Sequence, residues 1–138
     1  MAEYLDHLAR VPLFAGLPRA DLEKIARATN EIVVESGRSL VTQGDTGHEA
    51  FVIVEGNAAV TIDGNEVATI GPGAVFGEIA LIERVPRNAT VTATNPLRVL
   101  VLGQREFSGL LDESPQFARR IMASLAHRLR EKDASVWS

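Results

Sequence analysis

Residues 58–70, Ala58-Ala59-Val60-Thr61-Ile62-Asp63-Gly64-Asn65-Glu66-Val67-Ala68-Thr69-Ile70, decide the fold. Two β-rich runs flank an Asp-Gly pair, and such a pair between alternating runs is the strongest short-range signal for an antiparallel hairpin. The same grammar extends outward on both sides. Ile32-Val33-Val34, Ser39-Leu40-Val41-Thr42 and Ala50-Phe51-Val52-Ile53-Val54 precede the hairpin, and Ala89-Thr90-Val91-Thr92-Ala93 and Arg98-Val99-Leu100-Val101-Leu102 follow it. Turn residues separate these runs at Ser36-Gly37, Gly44-Asp45, Glu55-Gly56, Gly71-Pro72-Gly73 and Asn95-Pro96. About eight short strands at roughly ten-residue spacing predict a closed or doubly layered antiparallel barrel, such as a jelly roll, over residues 31–103. No strand alternates with a long helix, which disfavours a parallel α/β sheet.

Helical patterning brackets the strands. Tyr4, Leu5 and Leu8 recur at helical spacing until Pro12 ends that element. A second helix is expected from near Pro18, with Leu22, Ile25 and Ala26 on one stripe. After Gln104 a short helix over 105–112 carries Phe107, Leu110 and Leu111. Ser114-Pro115 then reads as an N-cap followed by proline at the first helical position. The last helix is expected to reach about Lys132, with Phe117, Ile121, Met122, Leu125 and Leu129 on one face. The expected fold class is therefore mixed and mainly β: an eight-stranded antiparallel β-barrel or jelly roll, flanked by N-terminal helices (1–30) and C-terminal helices (104–138).

The bulk composition bounds the function. A chain of 138 residues suits one domain over its whole length. Its formal charge of −4 supplies no global basic field to attract nucleic acid, so any anion site must be local. There are no cysteines, which removes disulfides, thiolate zinc sites and cysteine nucleophiles. The N-terminus lacks an apolar signal region, and no run approaches the ~20 apolar residues of a membrane span. A cytoplasmic protein is expected, with no membrane contact.

Within the β region, residues 77–90 carry the chemistry: Gly77-Glu78-Ile79-Ala80-Leu81-Ile82-Glu83-Arg84-Val85-Pro86-Arg87-Asn88-Ala89-Thr90. A glycine-led acidic turn runs into a short apolar stretch, and Pro-Arg then opens a β-branched run. An arginine at the mouth of a strand, facing amides freed by a one-turn helix, is a way to hold a phosphate. A glutamate beside it can accept hydrogen bonds from a sugar hydroxyl. The segment proposes a sugar-phosphate site.

These residues, with Val11-Pro12-Leu13-Phe14, Leu17, Gln43-Gly44-Asp45, Phe51-Val52-Ile53-Val54-Glu55-Gly56 and Gly71-Pro72-Gly73, resemble the cyclic nucleotide-binding domain. That module is shared by catabolite-activator-type regulators, cyclic nucleotide-gated channels and protein kinase regulatory subunits. The resemblance covers nearly the whole chain. It implies that Glu78 accepts a hydrogen bond from the ribose 2′-hydroxyl and that Arg87 pairs with the cyclic phosphate, which suits a planar guanidinium. It implies a cradle of backbone amides at Gly77, Ile79, Ala80 and Ala89, with Gly77 chosen because a side chain would crowd the ribose. Thr90 or Ala89 would lie near the base. Asn88 offers both donor and acceptor and leaves adenine and guanine open. Leu129, Arg130 or Trp137 would close over the base. His48 stands where the family often has an acidic residue.

The resemblance implies a receptor for cAMP, or for cGMP, with no catalytic residue, no metal and no cofactor. The ligand would shift the position of the last helix and so signal to an effector protein. Nothing resembling a DNA-binding domain is recognised before Ser138, and a monomer or a homodimer through the C-terminal helix is expected. The alternative is an interaction or dimerisation module whose nucleotide pocket is idle. Other readings are weaker. His7, His48 and His127 have no metal-ligand spacing, and no serine sits in a nucleophile-elbow context. Gly71, Gly73 and Gly77 lack the βαβ unit of a dinucleotide site. Asn88-Ala89-Thr90 matches a glycosylation sequon without a secretory signal. The arginines at 119, 120, 128 and 130 stand beside Glu131 and Asp133, as on a solvated helical face.

Overall fold

The computed structural model describes residues 2–11, 14–77 and 79–130. Two helices, α1 (Ala2–Arg10) and α2 (Arg19–Ala28), lead into β1 (Asn30–Val34), β2 (Ser39–Val41), β3 (Glu49–Glu55), β4 (Ala58–Ile62) and β5 (Asn65–Ile70). The short β6 (Val75–Phe76) and α3 (Ile79–Ile82) precede β7 (Thr90–Ala93) and β8 (Leu97–Gly103). The chain then forms α4 (Gln104–Glu113) and α5 (Pro115–Arg130). The strands make two four-stranded antiparallel sheets, β1-β8-β3-β6 and β2-β7-β4-β5. They pack as a jelly roll and do not close into a barrel. The closed alternative fails because, among the described residues, no ladder joins the strands of one sheet to those of the other.

The opening hairpin is realised as its sequence dictates. Ile62 pairs with Asn65 across a two-residue turn, with φ of 53° at Asp63 and 82° at Gly64. Both positive angles match a type I′ turn, whose twist suits flanking strands. One irregularity lies farther up the hairpin. Val60 pairs with Ala68 but Thr61 pairs with Glu66, so Val67 is the extra residue of a β-bulge.

Alternation along β3 and β8 explains the layers. Phe51, Ile53, Leu97 and Val99 point between the two sheets, where they meet Val34, Val41, Ala58, Val60, Phe76 and Val91. Ala50, Val52, Leu100 and Leu102 point the other way, onto Leu5, Leu8, Ile25, Phe107, Leu110 and Phe117 of the helices. Strands buried on both faces must read as continuous apolar runs, which is why β3 is Ala-Phe-Val-Ile-Val at its centre. The other sheet covers only one face, and Ala58 and Val60 alternate with half-buried Ala59 and Thr61.

The helical layer is tied together at Phe117. Its ring lies 6.1 Å from Phe14 and 6.0 Å edge-on from Phe107. The Ser114 hydroxyl accepts the Phe117 amide at 3.2 Å and caps α5 as expected, with Pro115 as its first helical residue. Lys24 Nζ on α2 donates to the Glu113 carbonyl at 3.0 Å, satisfying an orphan acceptor at the end of α4. The reach of the last helix toward Lys132 falls outside the described residues.

Because Phe76 is fully enclosed between the sheets while Val67 is 48% exposed, their truncations should differ sharply. Phe76→Ala is expected to cost about 3–5 kcal/mol of unfolding free energy. Val67→Ala should stay within about 0.5 kcal/mol. Urea denaturation of both variants checks this, and equal losses would contradict the layer assignment.

Candidate functional site

Arg87 is the one cation among the buried side chains of the described residues, at 5% exposure. It sits between the isolated bridge Thr46–Pro86 and the start of β7. Its Nη2 donates to the Glu49 carbonyl at 2.9 Å and its Nη1 to the Gly77 carbonyl at 3.5 Å. Its guanidinium carbon lies 6.0 Å from the centre of the Phe51 ring, which itself stacks on Phe76 at 5.0 Å. No ion pair found among the described residues involves Arg87. Burial pulls its pKa below the ordinary guanidinium value, and the Glu49 carboxylate opposes that pull. Arginine remains protonated nonetheless. The site therefore holds a desolvated positive charge whose described hydrogen bonds go to neutral carbonyls.

Two glycines make room for that charge. Gly77 has φ of 82°, and a Cβ there would stand 2.6 Å from Arg87 Nη1 and 3.0 Å from the Glu49 carbonyl. The glycine is thus required by the arginine and by the backbone angle, whereas the motif alone pointed to the ribose. A Cβ at Gly47 would collide directly with the guanidinium. Gly47 is a site residue that sequence reasoning missed. Gly44-Asp45-Thr46-Gly47 carries two glycines in a short loop, but nothing local points to residue 87.

The segment 77–90 touches both cores. Phe76 just before it and Ala89 near its end are buried between the sheets, while Leu81 packs into the helical cluster. The Ala80 amide donates to the Gly77 carbonyl at 3.1 Å, so this member of the expected cradle already has a partner. Ala89 is buried, Asn88 is exposed and Ile79 is half-buried. The Thr90 hydroxyl accepts the Gln43 amide at 2.9 Å and thereby fastens β7 to the loop after β2. Glu78 and Trp137 lie outside the described residues, as do the side chains of Leu129 and Arg130. A cavity of about 470 Å³ between β1 and β2 is lined by Ile32, Val34, Arg38, Leu40, Glu49 and Phe51, among others. It shares two walls with the Arg87 surroundings, but Arg87 is not part of its lining.

Among the described residues, no three His, Cys, Asp or Glu side chains are placed to hold a metal ion. No described helix is long and apolar enough to cross a membrane.

Residues 31–114 match the family model of the cyclic nucleotide-binding domain. The chain belongs to that family. The domain is 39% identical over 110 residues to a cAMP-dependent protein kinase regulatory subunit of Yarrowia lipolytica, covering 78% of this chain and 29% of that protein. It is 40% identical over 111 residues to a cyclic nucleotide-gated potassium channel of Mesorhizobium japonicum, covering 80% and 31%. Its fold matches the N-terminal domain of a transcriptional regulator from Streptomyces coelicolor A3(2). That match has a TM-score of 0.78 and 32% identity, over 91% of this chain and 92% of the other. The domain spans about three-tenths of the length of these two curated relatives. The span matched by the family model includes all of the Arg87 surroundings described above.

Gly47 supplies a direct check of the geometry. Its backbone is not strained, so Gly47→Ala acts through the collision with the guanidinium. The variant is expected to shift the Arg87 Nε–H resonance and to lose about 1–3 kcal/mol, the scale of an overpacked site. Gly109→Ala, where a Cβ meets nothing within 4 Å, should leave that resonance in place.

Proposed function

We propose that the domain is a receptor for a cyclic nucleotide, cAMP in the first place and cGMP as the alternative, which it binds without altering. The observation that carries this reading is the buried Arg87 guanidinium, desolvated and hydrogen-bonded to the main-chain carbonyls of Glu49 and Gly77. A buried cation in that condition gains more from an incoming anion than an exposed one does, because the cost of its desolvation is already met. Membership of the family supplies the class of anion, and the name of the Yarrowia relative favours adenine. Glu78 is assigned to the ribose on the strength of the motif.

The signalling step proposed is a population shift. Leu81 places α3 in contact with the helical layer, so an anion that draws α3 toward Arg87 would favour one arrangement of α4 and α5. Such a shift requires that the ligand bind that arrangement better than the other. An effector protein in the cytoplasm is the proposed recipient. Met122, 61% exposed on α5, is the observation that supports a docking role for that helix. Sedimentation with and without cAMP separates ligand-controlled docking from constitutive docking.

Isothermal titration with cAMP and then cGMP tests the reading. Arg87→Ala is expected to weaken binding by roughly 30- to several-thousand-fold, the equivalent of losing ~2–5 kcal/mol. A loss below about threefold would place the phosphate elsewhere. Absence of binding by the unsubstituted protein would defeat the receptor reading outright.

A further inference from the structure

Arg87 is gripped through its backbone as well as its side chain. Its amide donates to the Asp45 carbonyl at 2.8 Å, and the Gly44 amide donates to the Arg87 carbonyl at 2.9 Å. Two hydrogen bonds of opposite sense thus fix the main chain at residue 87 to the loop after β2. Gln43 in that loop uses three of its groups at once. Its main-chain amide donates to Thr90 Oγ1 at 2.9 Å. Its Nε2 donates to Asp63 Oδ1 at 2.9 Å, and its Oε1 accepts the Asp63 amide at 2.8 Å.

Asp63 is the first turn residue of the β4–β5 hairpin, held at φ 53°. Gln43 therefore joins three segments far apart in sequence: the loop that holds Arg87, the start of β7, and the hairpin tip. The chemistry explains the residue type. A single side chain must donate to a carboxylate and accept from a neighbouring amide, which a primary carboxamide can do and a carboxylate or an ammonium cannot. The reciprocal pair is solvent-exposed, so its contribution to global stability is small while its effect on local geometry is direct.

We propose that Gln43 is a positioning residue that couples the tip of the β4–β5 hairpin to Arg87, so that the hairpin sets the orientation of the guanidinium that receives the ligand's phosphate. The coupling to ligand affinity rests on the receptor reading above, whereas the coupling to the Arg87 backbone does not. When the clasp opens, the Gly44–Arg87 and Arg87–Asp45 hydrogen bonds lose one anchor of the loop that makes them. The hairpin tip is thereby a place from which affinity can be altered without touching the ligand.

The test uses Gln43→Ala, Gln43→Glu and the double variant Gln43→Glu/Asp63→Asn. In Gln43→Glu the donor is lost and two carboxylates face each other. In the double variant the new carboxamide at 63 donates to the new carboxylate at 43, and the pair re-forms with its roles exchanged. Amide hydrogen exchange on the protein without ligand is expected to accelerate about tenfold at Gly44 and Arg87 in both single variants. The Val60 and Val91 amides, in the core between the sheets, should not change. The double variant should return Gly44 and Arg87 to within about threefold of the unsubstituted protein. Titration with cAMP is expected to show binding weakened roughly 3- to 30-fold in Gln43→Glu and restored in the double variant. Unchanged exchange at Gly44 and Arg87, or equal acceleration at Val60 and Val91, would overturn the coupling. Altered exchange in a protein that binds no cyclic nucleotide would instead overturn the receptor reading and support the backbone clasp.

Discussion

A sheet with large apolar side chains on both faces has to be covered twice, and the layout of this molecule follows from that requirement. In the sheet β1-β8-β3-β6, the second sheet covers Phe51, Ile53, Leu97 and Val99, and the helices cover Ala50, Val52, Leu100 and Leu102. Burying a Leu, Ile, Val or Phe side chain contributes about 1.5–3 kcal/mol, so leaving either face open would forfeit a large part of the net stability of a domain. Helices at both ends of the sequence must therefore converge on one face of one sheet. Phe14, Phe107 and Phe117 meet there.

The two covers hold the segment 77–90 at both layers. Phe76 just before it and Ala89 near its end are fastened between the sheets, and Leu81 is fastened among the helices. Arg87 lies two residues before Ala89, with its buried charge held by the carbonyls of Glu49 on β3 and of Gly77. The same charge on an exposed strand would be screened by water.

Much of this is legible in the amino-acid sequence. The seven apolar runs, the Asp63-Gly64 turn and the Ser114-Pro115 cap all describe local physics, and the structure realises them within a residue or two at each end. The two-residue β6 is too short to carry a periodicity from which it could be read. The choice between a closed barrel and two sheets was also not legible, since alternation along each strand is identical in both and only ladders at the sheet margins differ. At the site, the motif named Gly77 and Arg87, while Gly47 and the Glu49 carbonyl stayed hidden. The Arg87–Glu49 contact closes over 38 residues, and no local pattern records which loop the fold will lay against an arginine. Gln43 was visible only as part of a motif, because its role depends on meeting Asp63, 20 residues away.

The bulge at Val67 has a consequence for how molecules meet one another. β5 is the outermost strand of its sheet, and such a margin offers unpaired amides and carbonyls to any extended chain that approaches. The extra residue interrupts that row and twists the strand, and the neighbouring exposed acid, Glu66, adds a charge at the same place. An incoming strand would find its register broken after a few residues. The irregularity that costs the hairpin one regular pair thus discourages sheet-to-sheet growth along β5, and protects in concentrated solution a fold whose strands are rich in valine and isoleucine.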